Sequence, residues 1–426
     1  MKIAVDIDDT LNVVDRLGRA SAYAARFRLP YKVKNENSNF FVEVLDWDEE
    51  AVLQFMRAGG IAAFTEAEAK KGAAQALAAL RAAGHEIIIL TARQKLWFGN
   101  PVSVSRDWLQ KRKIPYDEIV AEVWDKGAYC AEHGIEILVD DNPDILLEAE
   151  RRGVRTVLFL GKHNLSRASS FLAAPNWQAA KEHLFFLTEL ITVEKLTLQA
   201  TPARRSERIG AFCLSLDDNK GRRGNCATRT LPENVDLRET LLKLEEMFSR
   251  EGKPCRFLLT NADSLLDGAL EERGYAREVS AACYELMPLV SPSPARSVFV
   301  GGEADSRWRA ALAAAEGGYT GYFTPRRYAL ARGECVFACA YEGETPVGAA
   351  MGVLAEGRVG IFDLRVRQEY RRQGYGRALV ETILQEAAKK GATRAYFQTE
   401  TGNGAAVALL RRLGFSKIYD YWYRVK

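Results

Sequence analysis

Four short, continuous runs of aliphatic residues, separated by stretches with helical patterning, dominate the first 190 residues. The runs are KIAVDI (2–7), HEIIILTA (85–92), IEILVDD (135–141) and RTVLFLG (155–161). Unbroken aliphatic runs of this length are typical of strands that are buried on both faces, and their alternation with helices favours an α/β fold with a parallel, doubly wound sheet. The long gap after the first run predicts an inserted, mostly helical cap over about residues 14–70.

The pattern of predicted secondary structure changes near residue 190. Residues 191–200, ITVEKLTLQA, alternate in polarity and predict a strand that opens a new α+β domain. Residues 284–297 are rich in serine and proline and predict a second boundary. We therefore expect domains at residues 1–190, 191–290 and 296–426.

Composition excludes several classes of protein. The chain has 426 residues and a net charge of +3, with 59 basic and 56 acidic side chains. It therefore lacks the strong basic excess that is typical of nucleic-acid-binding proteins. It contains no run of about 18 apolar residues that would span a membrane. Its seven cysteines are scattered without a zinc-binding spacing, so we expect a cytoplasmic protein with reduced thiols.

Polar residues stand at the ends of three predicted strands and at the start of one helix. Because the carboxyl ends of parallel strands meet at one edge of a sheet, we expect these residues to share a crevice. Their types suit phosphoryl transfer: one carboxylate attacks phosphorus, a second reaches the leaving oxygen, and a hydroxyl and an amine bind the phosphoryl oxygens. Further carboxylates are the ligands that Mg²⁺ prefers. The residues are Asp6, Asp8, Thr91, Lys126, Asp140 and Asp141.

The order of these motifs over residues 1–190 resembles the haloacid dehalogenase (HAD) superfamily of phosphatases, which have a Rossmann-like parallel sheet. The resemblance implies that Asp6 is the nucleophile and Asp8 the general acid and base. It implies that Thr91 and Lys126 bind the phosphoryl group. It also implies a Mg²⁺ site made by Asp6, Asp8, Asp140 and Asp141. The alternative is a set of helix caps and turn aspartates without a catalytic role.

The predicted insert is similar to the C1 cap of that superfamily. The segments DIDDTLN, TAR and VDDNPD most resemble its 5′(3′)-deoxyribonucleotidase-like branch, which implies a small, nucleotide-like phosphate ester as substrate. Aromatic residues of the cap either form a small core, which we favour, or stack on a nucleobase. They are Tyr23, Phe27, Tyr31, Phe40, Phe41 and Trp47.

A glycine-rich turn stands between a predicted strand and a predicted helix in the last third of the chain. A strand at 359–366 precedes RRQGYG (371–376), and residues 378–391 have amphipathic helical spacing. Glycines at such a turn let backbone amides converge on an anion, and the helix dipole adds positive potential. The turn is neither a Walker loop nor a dinucleotide fingerprint.

This turn resembles motif A of the GNAT acyltransferases, which bind the pyrophosphate of acetyl-CoA there. The resemblance covers residues 296–426 as a complete α+β GNAT fold. Residues 192–290 resemble the degenerate first half of tandem GNAT proteins. The acetyl-CoA-binding residues implied are Leu364, Val366, Arg371, Arg372, Gln373, Gly374, Tyr375, Gly376, Arg377 and Asn403.

One departure from the family concerns the acid that protonates the CoA thiolate. Many members carry a tyrosine at the position that is Leu410 here. We predict Tyr421 in its place, although Tyr419, Tyr423 or solvent would also serve. Glu400 or Asp363 is the predicted base for the amine, acting through water.

The leading hypothesis is a bifunctional enzyme with a Mg²⁺-dependent phosphatase and an acetyl-CoA-dependent N-acetyltransferase, which act on small-molecule phosphate esters and amines. In the alternative, the HAD part is a non-catalytic module that binds a phosphorylated ligand. A further alternative has a protein amine as the acyl acceptor.

Overall fold

The structure of the protein is a computed structural model, and it describes residues 1–35, 38, 41–218, 221–315 and 331–426. Phe40 of the predicted cap and residues 316–330 of the predicted GNAT domain lie outside these ranges. The chain divides into two compact units. The first comprises Met1–Thr188 with Leu231–Thr240, and the second comprises Glu189–Thr230 with Leu241–Lys426. Within the described ranges, no helix has the length and apolar character needed to cross a bilayer.

The strands of the described residues are β1 Lys2–Val5, β2 Asn12–Val13, β3 Glu68–Ala69, β4 Glu86–Leu90, β5 Glu118–Val120, β6 Ile137–Asp140, β7 Arg155–Phe159, β8 Ala173–Ala174, β9 Arg205–Ile209, β10 Phe212–Leu216, β11 Cys226–Arg229, β12 Arg256–Thr260, β13 Ala276–Leu286, β14 Phe299–Gly301, β15 Glu334–Glu342, β16 Thr345–Ala355, β17 Arg358–Val366, β18 Arg394–Glu400 and β19 Ser416–Val425. The α-helices are α1 Arg16–Phe27, α2 Phe41–Val44, α3 Glu49–Phe55, α4 Ala62–Thr65, α5 Ala73–Ala82, α6 Lys95–Phe98, α7 Pro101–Lys111, α8 Lys126–Glu132, α9 Pro143–Arg151, α10 Trp177–Ala200, α11 Leu237–Arg250, α12 Ser264–Glu272, α13 Ser306–Ala315, α14 Tyr375–Lys389 and α15 Gly404–Arg412.

The first unit is built on a parallel sheet with the strand order β5-β4-β1-β6-β7-β8. Each neighbouring pair is parallel. Ile3, Ala4 and Val5 of the central strand are fully buried, as expected of a strand covered on both faces. The predicted parallel α/β sheet is therefore confirmed, and the carboxyl ends of its strands lie at one edge.

The segment between β2 and β3 is helical and has its own small core. Strands β2 and β3 pair antiparallel at its base, with Asn12 opposite Ala69. Within the core, the Tyr23 ring lies 5.2 Å from that of Phe55 and 5.9 Å from that of Trp47. Aromatic pairs at these separations stabilise one another edge to face, so Tyr23 and Trp47 are packing residues of the insert.

The second unit is built on one large mixed sheet. In the described ranges its order is β14-β15-β16-β17-β18-β13-β19-β12-β11-β10-β9. Strand β13 lies between β18 and β19 and pairs antiparallel with both. The predicted degenerate half and the predicted complete half therefore share a single sheet, because a strand of the first is inserted between two strands of the second.

Helices cover both faces of this sheet. On one face, helix α14 contributes Leu379, Val380 and Ile383 to a core in which Leu410 is also buried. On the other face, Trp308 packs in a second core together with Ala200, the last residue of α10. Because side chains alternate along a strand, each strand sends alternate residues to the two cores.

The strand predicted at residues 191–200 is wrong, because these residues end helix α10, Trp177–Ala200. Leu190, Val193, Thr197 and Ala200 are all buried. This spacing of three and four residues is that of one helix face. The sequence alternates in polarity because polar residues of the exposed helix face lie between these buried positions.

Candidate functional site

Two carboxylates from adjacent parallel strands meet one lysine at the carboxyl edge of the first sheet. Asp6 follows β1, Asp140 ends β6, and Lys126 begins helix α8, whose first turn is capped by Asp125. Lys126 Nζ donates to Asp6 Oδ1 at 2.5 Å and to Asp140 Oδ2 at 2.6 Å. All three of these side chains are buried. The predicted crevice thus contains a buried cation shared by two carboxylates.

Burial shapes the charge states of this triad. It raises the pKa of Asp6 well above its usual value; Lys126 opposes this shift, and the negative charges of Asp140, Asp141 and Asp8 add to it. Burial also raises the pKa of Asp140. For Lys126, burial acts to lower the pKa, but the charges of Asp140 and Asp6 outweigh it and the pKa is raised. The ammonium of Lys126 is therefore firmly held between the two carboxylates.

Asp8, the predicted general acid and base, is held by Arg93. Arg93 Nε donates to Asp8 Oδ2 at 2.9 Å and Nη2 donates to Oδ1 at 2.7 Å. Asn12 Nδ2 donates to Oδ1 at 2.8 Å. Burial acts to raise the pKa of Asp8, but the charge and hydrogen bonds of Arg93 outweigh it, so the pKa is lowered. Such a fork of two parallel bonds fixes the orientation of the carboxylate as well as its charge.

Thr91 and Asp141 lie at the same edge. Thr91 directly follows β4, is buried, and accepts a hydrogen bond from the Arg93 amide at 3.3 Å. Asp141 accepts from Thr10 Oγ1 at 3.3 Å, and its Oδ2 lies 2.9 Å from His163 Nε2. The structure thus brings all six sequence-predicted residues of this site to one edge of the sheet.

Three basic residues lie at this site, and the sequence placed only one of them, Arg93 of the TAR segment, at the crevice. Lys70 donates to the main-chain carbonyl of Asp9, and Arg16 pairs with the Asp9 carboxylate. Burial lowers the pKa of Lys70. Lys70 and Arg16 flank the helical insert and Arg93 ends the motif at strand β4, so no spacing in the sequence groups them. Only Arg93, two residues after Thr91, lies close enough to a predicted site residue to be suspected.

The carboxylates at this edge are candidate ligands for a magnesium ion. Among the described residues, no three acidic, histidine or cysteine side chains are grouped as metal ligands. Their chemistry nevertheless fits a hard cation, because all are oxygen donors. Burial and the negative charges of Asp140 and Asp141 also raise the pKa of Asp6, which means that they destabilise its ionised form. A bound cation would stabilise that form. Magnesium therefore remains a prediction from the resemblance.

The glycine turn of the second unit lies between β17 and α14, as predicted. Gly374 caps the helix with a φ angle of +91°, in the left-handed region, and Arg372 has a φ angle of +65°. A residue with a side chain rarely adopts this left-handed backbone conformation, whereas glycine does so freely. The first amides of α14 have no carbonyl partner within the helix, so they remain donors for an anion at this turn.

Side chains around the turn are anchored to its backbone. Arg371 Nε donates to the Val366 carbonyl at 3.1 Å, and Gln373 Nε2 donates to the Glu369 carbonyl at 3.0 Å. Arg377 Nε donates to the Glu381 carboxylate at 2.7 Å. These contacts order the turn, and the ion pair leaves Arg377 with less positive charge to offer a ligand.

Two of the predicted residues serve packing. Tyr375 belongs to the core below α14, and Leu364 packs against the same core. Gly376 lies close to the neighbouring elements: a Cβ atom there would be 3.7 Å from Val366 and 3.8 Å from Leu409. These are ordinary contact distances, so the helix approaches β17 closely without needing glycine for space.

Strands β17 and β18 separate beside this turn. Their parallel pairing extends from Arg358 opposite Arg394 to Ile361 opposite Phe397 and stops there, although both strands continue. Beyond that point, Val366 ends one strand and Glu400 ends the other. Asn403 then caps helix α15 by accepting from the Ala406 amide at 3.2 Å. A cleft between two parallel strands therefore opens next to the glycine turn.

The predicted tyrosines project from β19 toward the face covered by α10. Tyr419 is committed to the core, because its hydroxyl donates to Glu194 at 2.5 Å. Tyr421 lines a cavity of about 210 Å³ together with Tyr423, Glu400 and Arg223. Burial raises the pKa of Tyr421, so its phenol stays protonated at neutral pH. Leu410, at the family's tyrosine position, is fully buried.

Comparison with known proteins identifies part of the second unit. Residues 306–415 match the model of the acetyltransferase (GNAT) family. This range contains the Gly374 turn, helix α14 and Asn403. Residues 306–415 are therefore similar to the acetyltransferases of the GNAT family, whose members use acetyl-CoA, and this similarity supports the corresponding part of the sequence prediction.

Several individual proteins are similar to parts of the chain. An uncharacterized N-acetyltransferase, YobR, of Bacillus subtilis is 25% identical over 255 residues, which are 56% of this chain and all of that protein. The [ribosomal protein bS18]-alanine N-acetyltransferase of Escherichia coli is 39% identical over 57 residues, 13% of this chain and 38% of that enzyme. A GCN5-related N-acetyltransferase from Kribbella flavida aligns with a TM-score of 0.44 and 22% identity, over 55% of this chain and 95% of the other.

The family match lies outside the first unit. The resemblance of residues 1–190 to HAD phosphatases therefore stays a prediction, supported by the convergence of Asp6, Asp8, Lys126 and Asp140 at one sheet edge.

Proposed function

We propose that the second unit transfers an acetyl group from acetyl-CoA to a small amine. The observation that carries this proposal is the Gly374 turn beside the cleft between β17 and β18. The turn offers amides to the pyrophosphate, and Glu400, at the end of β18, also lines the cavity that contains Tyr421. The amine would bind in that cavity.

The chemistry needs one proton acceptor and one donor. The amine nitrogen attacks the thioester carbonyl carbon, and its proton passes through water to Glu400 or Asp363. The carbon–sulfur bond then breaks, and the sulfur takes a proton from the Tyr421 hydroxyl or from solvent. Because burial raises the pKa of Tyr421, its hydroxyl is protonated at neutral pH and can act as a hydrogen-bond and proton donor to the departing sulfur.

The test is release of the CoA thiol by the full-length chain with acetyl-CoA and a panel of small primary amines. We expect turnover with at least one class of amine, and binding of acetyl-CoA even without an acceptor. A chain that does not bind acetyl-CoA in calorimetry would contradict the proposal.

We also infer a second activity, hydrolysis of phosphomonoesters at the Asp6 site. The observation that favours it is Lys126, buried between Asp6 and Asp140. Asp6 would attack phosphorus to form an aspartyl-phosphate while Lys126 and Thr91 bind the phosphoryl oxygens. In the first step the leaving oxygen would take a proton from solvent, or from Asp8 when that carboxyl is protonated. In the second step the Asp8 carboxylate, which Arg93 keeps ionised, would take a proton from the attacking water.

Magnesium fits this proposal in one role. Held by Asp6, Asp140, Asp141 and the Asp8 carbonyl, it would offset the repulsion between the carboxylates and the phosphate. The remaining chemistry belongs to the side chains: Arg93 orients Asp8, and Lys126 orients Asp6.

The alternative is that this unit binds a phosphorylated ligand without turnover. Phosphate release from p-nitrophenyl phosphate and from nucleoside monophosphates, with and without Mg²⁺, separates the two. Release that disappears in Asp6→Asn supports the phosphatase. Binding of a nucleoside monophosphate without any release of phosphate supports the docking module.

A further inference from the structure

An arginine outside the glycine-rich motif lies against the turn. Arg296 belongs to the Ser- and Pro-rich connector that the sequence predicts only as a boundary. Its Nε donates to the Gln373 carbonyl at 3.0 Å, and its guanidinium lies over the Tyr375 ring, 4.3 Å from the centroid. A Cβ atom on Gly374 would be 3.6 Å from Arg296 Nε. Arg296 thus contacts Gln373 and Tyr375 and lies beside the Gly374 position between them.

Those contacts fix the guanidinium and leave its charge available. The Nε bond and the stacking use one nitrogen and one face of the group. Among the described residues no carboxylate pairs with Arg296, whereas Arg367 pairs with Glu369 and Arg377 pairs with Glu381. Arg296 is exposed, so a ligand can reach its two terminal nitrogens. A pre-ordered guanidinium with free terminal nitrogens suits recognition of phosphate oxygens.

The position of this charge matches that of the helix dipole. Gly374 caps α14, and Arg296 contacts the residue just before it. The guanidinium therefore lies beside the amides of the first turn of the helix. An anion placed on those amides would therefore lie within reach of Arg296. Two independent cationic features, one from the backbone and one from the connector, then act on one ligand.

We propose that Arg296 binds the diphosphate of acetyl-CoA, so that the connector forms one wall of the coenzyme site. This inference rests on the proposed acetyltransferase function. It assigns to residues 284–297 a role in binding and not only in linking two parts of the sheet. The 3′-phosphate of the coenzyme is the competing target of the same charge, and the two are separated by experiment.

Calorimetry on the full-length chain tests the proposal with three ligands: acetyl-CoA, its 3′-dephospho form and S-acetylpantetheine, which has no phosphate. We expect Arg296→Gln to weaken binding of the first two at least tenfold and to leave the third unchanged. Loss with acetyl-CoA but not with the dephospho form would assign Arg296 to the 3′-phosphate and overturn the proposal. Unchanged binding of acetyl-CoA in Arg296→Gln would also overturn it.

Two controls separate a direct contact from support of the turn. Arg296→Lys keeps the charge but loses the bond to Gln373, so we expect it to recover part of the lost affinity. The deficit of Arg296→Gln should also shrink at high salt, because screening weakens the wild-type contact. A lysine variant as weak as the glutamine variant, with a deficit independent of salt, would show a structural role only. Arg411→Gln, on the exposed side of α15, is the matched control and should bind normally.

Failure of the underlying function gives a different result. If the wild-type chain binds neither acetyl-CoA nor S-acetylpantetheine, the acetyltransferase proposal fails. If it binds both and Arg296→Gln binds both equally well, only the inference on Arg296 fails.

Discussion

Gly374 and Gly391 flank the same helix, α14, and both have a left-handed backbone, with φ angles of +91° and +85°. A side chain at either position is strained for the same reason. Only Gly374 lies at the end whose free amides face the proposed coenzyme, so the pair separates the effect of strain from the effect on binding.

Gly374→Val is therefore expected to weaken acetyl-CoA binding by at least about tenfold, or 1.4 kcal/mol, because the side chain obstructs the approach of the pyrophosphate. Gly391→Val should lower the melting temperature about as much as Gly374→Val does, and it should leave the affinity for acetyl-CoA unchanged. Calorimetry and thermal unfolding of the full-length chain measure both. Equal affinity in the two variants would mean that the turn is only structural.

Asp6→Asn is expected to abolish phosphate release, by at least about a thousandfold, because the nucleophile is lost. It should also stabilise the first unit. Since the pKa of Asp6 is raised, ionised Asp6 costs stability as the pH rises, and the variant leaves Lys126 with Asp140 alone. We expect a melting temperature higher by about 2 °C or more at pH 7.

Asp144→Asn is the matched control for that variant. Asp144 is exposed near the same edge and pairs with Arg167 at 3.2 Å. It should leave both phosphate release and the melting temperature close to wild type. Normal phosphate release in the Asp6 variant would contradict its role as nucleophile.

Tyr421→Phe is expected to lower kcat for acetyl transfer about a hundredfold without changing the KM for acetyl-CoA, because only the proton donor is removed. Tyr423→Phe is the control from the same cavity and should retain most of the activity. Steady-state kinetics with saturating acetyl-CoA measure the split. Equal activity of the two variants would leave solvent as the proton donor.

The stability of the second unit should depend on Asp267 at low pH. Its carboxylate accepts from Trp422 Nε1 at 2.7 Å and from Arg424 Nε at 2.8 Å. Burial acts to raise the pKa of Asp267, but these bonds and the Arg424 charge outweigh it, so the pKa is lowered. The stabilisation is present above the unfolded pKa of about 3.9 and is lost as the pH falls through the folded value.

Asp267→Asn should therefore destabilise the chain at pH 7, by about 1 kcal/mol for this partly buried group. The variant and the wild type should converge as the pH falls and the Asp267 carboxylate becomes protonated. Melting temperatures from pH 2 to pH 7 test this expectation. A difference that stays constant over that range would exclude a contribution from the charge.

The sequence predicts best where local rules agree. The four aliphatic runs form β1, β4, β6 and β7 of the first sheet, because continuous burial leaves a continuous apolar run. In the second unit, the order of strand, turn and helix around Gly374 follows from the glycine turn and from amphipathic spacing. Asn403 is a helix cap, which is a local feature as well.

Residues 191–200 show where local patterning fails. They alternate like a strand, yet Leu190, Val193 and Thr197 lie on the buried face of α10. A short window fits both periods, and only packing against the sheet selects one. In the same way, no pattern predicts that β13 lies between β18 and β19, because strand order depends on contacts distant in sequence.

The sequence by itself determined the chemical groups and the edges at which they lie: Asp6 and Asp140 at strand ends, and Gly374 before a helix. Tertiary structure alone decided their partners. Lys126 is placed between two carboxylates, Arg93 on Asp8 and Arg296 on the glycine turn. The physical reason is that charges and hydrogen bonds act over a few ångströms in space, while the pairs that they join are separated by 14 to 120 residues along the chain.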